Sequence, residues 1–111
     1  MPALLYEPKA MFRDRLAAAG TTLYTTPAAK SAIVKNIVVK NTTAGAVLAA
    51  LYSVESGGAV ADDRMFFEST IPAGEQVFID CSIVLEAGDS VEGSAGADNS
   101  ITVTMSGQVT Q

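Results

Sequence analysis

The chain has 111 residues, 49% of them hydrophobic and 17% charged, with a formal net charge of −5 and no histidine. That length makes one domain, able to bury roughly two-thirds of its unfolded surface without staples. The composition excludes Ser–His–Asp and Cys–His catalysis and the commonest metal ligand, the lone Cys81 excludes an intramolecular disulfide, and the basic residues, scattered from Lys9 to Arg64, argue against nucleic-acid binding.

The first twenty residues, MPALLYEPKAMFRDRLAAAG, have charges where the apolar core of a signal peptide would run. Two readings of this segment stand side by side. Helix-forming Ala, Met, Arg and Leu between Pro8 and Ala19, followed by Gly20, suit a short helix. The thin apolar stripe of Met11, Phe12 and Leu16 suits equally an extended arm that lies on a neighbouring subunit. Residues 1–20 are therefore expected to be an arm for inter-subunit contacts, and deleting residues 1–16 is expected to leave the rest folded. Leu4, Leu5, Tyr6, Met11, Phe12 and Leu16 become candidate interface residues.

From Thr21 to the end, residues 21–111 read as strand after strand. SAIVKNIVVKN has Ile33 and Ile37 on one parity and Val34 and Val38 on the other, so it is buried on both faces or carries a bulge. AVLAALYSV reads similarly, although its alanines leave helix open. In RMFFEST the adjacent Phe66 and Phe67 should point to opposite faces of a strand, one into the core and one towards a cover or partner. Both join the candidate interface. In QVFIDCSIVL, Val77, Ile79, Cys81, Ile83 and Leu85 face one way, with Gln76, Asp80 and Ser82 opposite. Cys81 is accordingly read as a small core residue. SITVTMSGQVTQ alternates Ile101, Val103, Met105 and Val109 with threonines, a strand with one wet face.

Short segments with related shapes lead into several of these strands. In IPAGEQ, Pro72 is placed at the second position of a turn and Gly74 supplies positive φ; LEAGDS does the same with Glu86. TPAAKS lacks the glycine and is expected to turn differently. Strands of this length between frequent turns indicate a two-sheet antiparallel β-sandwich, jelly-roll-like or immunoglobulin-like, of about seven strands.

No motif carries chemistry. The Ser56–Gly58 loop lacks the Lys-Ser/Thr of a phosphate-binding loop. The acids fall in turns or on outward strand positions, where they are solvated. Asp62–Asp63 and Asp98–Asn99 are oxygen-rich loop pairs, but neither has the spacing of a calcium loop. No catalytic residue, metal or cofactor is expected, and no apolar run reaches the roughly 20 residues of a membrane span.

The ordered set of LYTTPAAKSAIVKNI (Leu23–Ile37), Asn41–Thr42, Ser56–Gly58, Pro72–Glu75, Leu85–Val91 and Ile101–Gly107 resembles a family of small β-sandwich virion structural proteins of tailed bacteriophages. The resemblance covers about 90 residues and leaves the first twenty outside. It implies a non-enzymatic building block on the phage particle, made in the bacterial host cytoplasm. Decoration or cement on the capsid is favoured over a tail, neck, collar or fibre-associated part. The expected partners are further copies of itself (a homo-oligomer, trimer included) and a major capsid or tail protein. Neither nucleic acid nor membrane is expected, and host glycan is the weaker alternative.

Overall fold

Period-two patterning along most of the chain is what two packed sheets require, and the computed structural model, which describes residues 5–110, has that architecture. Eight strands follow in order: β1 (Tyr6–Arg15), β2 (Thr21–Thr25), β3 (Ala32–Asn41), β4 (Val47–Val54), β5 (Met65–Ile71), β6 (Gln76–Leu85), β7 (Ser90–Ala95) and β8 (Ile101–Thr110). One 3₁₀ turn, Asp62–Arg64, precedes β5. Sheet A has the order β1-β8-β3-β6 and sheet B the order β2-β7-β4-β5. All pairings are antiparallel. First pairs with last, second with second-last, and so on inward to the β4–β5 hairpin. The β3–β8 and β4–β7 pairings then close each sheet. This is jelly-roll strand order; the immunoglobulin alternative, with its different strand partition, does not apply.

The core lies between the sheets. Leu16, Ile37, Leu51, Ile71, Leu85, Ile101 and Met105 are fully buried there, each stabilising the fold by about 1.5–3 kcal/mol relative to exposure. β4 is strand throughout, since Ala49 and Leu51 point into this core and a helix would turn half of them out.

The N-terminal segment departs from both readings of it. It is extended, but it pairs along its length with β8 instead of lying on a neighbour. Met11 and Leu16 are core residues, at 8% and 0% exposure. The thin stripe was enough for one face of an edge strand, which needs fewer apolar positions than a helix. Residues 6–15 therefore belong to the sandwich and not to a detachable arm.

The mixed parity of β3 resolves as a bulge. Its register against β8 and β6 shifts between Val34 and Asn36, so Val34 and Ile37 both point inward although their parities differ. β1 shifts its register against β8 at the same level, between Ala10 and Phe12. Gly107 of β8 lies between these two irregularities. A Cβ there would stand 2.1 Å from the Ile33 carbonyl oxygen and 2.9 Å from the Met11 methyl, so only glycine fits.

The three related turns share one geometry. Glu75 N–H donates to the Pro72 carbonyl at 3.1 Å, Asp89 N–H to Glu86 at 2.9 Å, and Lys30 N–H to Pro27 at 3.2 Å. Pro72 and Pro27 thus occupy the first turn position, not the second. The third position has positive φ in all three: 72° at Gly74, 84° at Gly88 and 61° at Ala29. TPAAKS does not turn differently; Ala29 takes the glycine's conformation.

Candidate interaction surface

The sequence-derived interface residues separate once placed. Leu4 lies outside the described residues. Leu5 and Tyr6 are exposed, at 57% and 42%. Phe12 is half-buried against the core, and Met11 and Leu16 are inside it. Phe66 and Phe67 are both half-buried and both pack on the core cluster. The β4–β5 register pairs Leu51 with Phe67 and Tyr52 with Met65, leaving Phe66 as the extra residue of a bulge. The bulge breaks the alternation that would have sent one ring outward.

The two most exposed large apolar side chains on sheet A are elsewhere. Phe78 and Val84 on β6 are 65% and 64% exposed. They share the outward parity of Gln76, Asp80 and Ser82, and the sequence reading of that wet face passed over them. The signal was present: two large apolar residues on the solvent side of an otherwise regular alternation. Val84 pairs with Ile33 and Phe78 with Val38 across the strand. On the inner side of β6, Val77, Ile79, Cys81 and Ile83 are only half-buried, although they pack against the core.

Charge is unevenly divided. The strands of sheet A carry Lys9, Arg13, Arg15, Lys35 and Lys40 against Glu7, Asp14 and Asp80. Those of sheet B carry Glu68 and Glu92 and no cation. Cations scattered along the sequence are thus gathered by the fold, and Lys9, Arg13 and Lys35 line an open trough beside Ser106 and Gln108. Lys35 donates to the Ser82 hydroxyl at 3.3 Å, and Asn36 donates to Asp80 at 3.2 Å.

Four loop acids serve the fold. Asp89 accepts backbone N–H groups of Ser56 and Glu86, at 3.0 and 2.9 Å, and Asp98 accepts that of Ala18 at 2.7 Å. Asp63 and Glu55 both pair with Arg64. The hydrogen bonds from Arg64, more than any other influence, hold the Glu55 carboxyl down at about 2. Among the described residues no group of three or more His, Cys, Asp or Glu could hold a metal ion. Cys81 donates to the Val34 carbonyl at 3.4 Å, and burial pushes its thiol up. No helix of the described residues is long and apolar enough to cross a membrane. Among the described residues the arrangement offers apolar and charged contact area.

No family model matches the chain, and no curated protein does. Solved structures do. A protein of Bacillus endospore appendages, described as disulfide-linked pili, is 15% identical with a TM-score of 0.52, covering 97% of this chain and 88% of that one. The VP2 subviral particle of infectious bursal disease virus is 12% identical with a TM-score of 0.50, covering 96% of this chain. The Gx strain of that virus gives 16% identity and a TM-score of 0.47 over 98% of this chain. This chain spans about a third of the length of those viral chains, 32% and 33%. The likenesses to the endospore-appendage protein and the VP2 subviral particle show a shared fold.

Proposed function

We propose that this chain is a non-enzymatic virion structural protein of a tailed bacteriophage, acting through protein–protein contacts in repeated copies, with capsid decoration or cement as its role. The observation that carries the reading is exposed apolar area, Phe78 and Val84, on a sandwich whose Asp89, Asp98, Glu55 and Asp63 are engaged in turns and ion pairs. Phe78 beside Val38 and Val84 beside Ile33 give two apolar contact points on the outer face of sheet A. The sequence pattern from Leu23 to Gly107 supplies the phage context. The fold is shared with a protein of disulfide-linked pili and with part of the VP2 chain of a subviral particle.

The contacts differ from those expected of an arm. Met11, Leu16, Phe66 and Phe67 hold the sandwich together, which leaves Leu5, Tyr6, Leu48, Val60 and the outer face of sheet A for neighbours. Interfaces of about 800 Å² per partner suffice for a stable contact, and repetition on a symmetric particle multiplies modest affinities. Peptide mass spectrometry of gradient-purified particles tests the reading. The chain should be present in many copies per particle; particles that lack it would overturn the proposal.

A further inference from the structure

Edge strands of soluble sheets are normally blunted by charge, proline, short length or a cover. Three of the four edges here follow that rule. β1 carries Pro8, Lys9, Arg13, Asp14 and Arg15; β2 is 5 residues long; β5 is 7 residues long and carries Glu68. β6 does not. It has 10 residues, QVFIDCSIVL, with no proline and Asp80 as its one charge. Its outer row exposes Phe78 and Val84, and its inner row stays half-buried.

The strand is complementary to itself in one antiparallel register. With a two-fold axis at Cys81, Phe78 lies opposite Val84 of the second copy, and Ile79 lies opposite its Ile83. Asp80 then lies opposite Ser82. The neighbouring register, centred on Asp80, would oppose two carboxylates and is disfavoured. The Cys81 register also matches charge across the seam. Lys35 already reaches Ser82 at 3.3 Å, so its ammonium stands beside the place the second copy's Asp80 would take, and symmetry makes this pair twice.

We propose that β6 is a self-association edge, pairing antiparallel with β6 of a second copy about a two-fold axis at Cys81 to join two A sheets into one. The pairing covers both exposed side chains, completes burial of the inner row and occupies the open backbone edge. A two-fold contact of this kind is isologous and closed, so it forms dimers and not fibres. It deepens the reading above by naming one self-contact. Because it is measured on purified protein, its failure leaves the particle test standing.

The experiment is sedimentation of the purified chain together with oxidative crosslinking. Directly opposed antiparallel residues have Cα atoms about 4.5–5.5 Å apart, within the range of about 4.4–6.8 Å that a disulfide spans. Copper phenanthroline in air should therefore oxidise the two Cys81 thiols, which lose two electrons and two protons to it, and lock the dimer. Phe78→Glu and Asp80→Lys should each weaken dimerisation at least tenfold while leaving the circular dichroism spectrum unchanged. The double change Lys35→Asp with Asp80→Lys should restore it. A monomer at millimolar concentration would overturn the proposal. So would a dimer that resists crosslinking through Cys81 and ignores Phe78→Glu.

Discussion

The Asn41 side-chain amide donates to the main-chain carbonyl of Ile71 at 2.8 Å, joining the end of β3 in sheet A to the end of β5 in sheet B. Asn41 is fully buried and its bonding capacity is filled. The amide also donates to Gly45 at 2.7 Å, and its oxygen accepts the backbone N–H and hydroxyl of Thr43 at 2.9 and 2.7 Å. Asn41→Ala would strand the buried Ile71 carbonyl at about 1–3 kcal/mol, while Thr43 and Gly45 are exposed and regain water. A fall in Tm on the order of 10 °C is expected in a calorimetric scan. A change within a degree or two would mean that the inter-sheet link is dispensable.

The turn at Ala29 gives a stabilising substitution. A non-glycine residue at positive φ costs on the order of 1 kcal/mol, and Ala29 stands there at 61° where the equivalent turns have Gly74 and Gly88. Ala29→Gly is expected to raise the urea midpoint, or at least leave it unchanged after the added flexibility of the unfolded chain. Gly74→Ala should lower stability by about 1 kcal/mol, and Gly88→Ala by more, because its Cβ would also meet the Ser56 hydroxyl oxygen at 2.6 Å. A lower midpoint for Ala29→Gly would contradict the shared geometry.

Glu55 and Arg64 set a pH dependence. The folded Glu55 carboxyl titrates at about 2 against an ordinary value of 4.5. A depressed carboxyl contributes stability that is present above the ordinary value and lost as pH falls through the folded one. The contribution should therefore vanish between about pH 4.5 and pH 2. The pair is exposed, so its effect is small and screened by salt. Arg64→Gln should return the Glu55 midpoint towards its ordinary value in a carboxyl NMR titration. An unchanged midpoint would mean that Arg64 is not the cause.

Removal of residues 1–16 is the fourth test. The cut deletes β1 and the fully buried Leu16 and strips β8 of a partner along its length. The truncated chain should lose its cooperative unfolding transition. A truncated protein with a native-like transition would return this segment to the role of a separable arm.

How legible these features were depended on what each residue's pattern encodes. β6 and β8 could be read directly, because alternation over ten residues admits one interpretation. β3 announced its irregularity through conflicting parities, though not which residue was extra. β1 could not be read: Pro8, five charged residues and the apolar Ala10, Met11 and Phe12 fit an edge strand, a helix or an arm, and only its pairing with β8 decides. The interface residues were misassigned because burial was inferred from local pattern alone. Phe66 and Phe67 are drawn inward by a bulge set by the partner strand. Phe78 and Val84, by contrast, lay on the wet parity in plain view. Distant cations met on one sheet because jelly-roll pairing is long-range, a relationship that spacing along the chain does not carry.

The measurement that bears most directly on the account is electron microscopy of the parent particles labelled with gold-conjugated antibody against this chain. Label spread regularly over the head is the predicted result and would establish capsid decoration. Label confined to the neck or tail would contradict capsid decoration while keeping a structural role. Particles that take no label with an antibody that binds the purified protein would contradict the virion account itself.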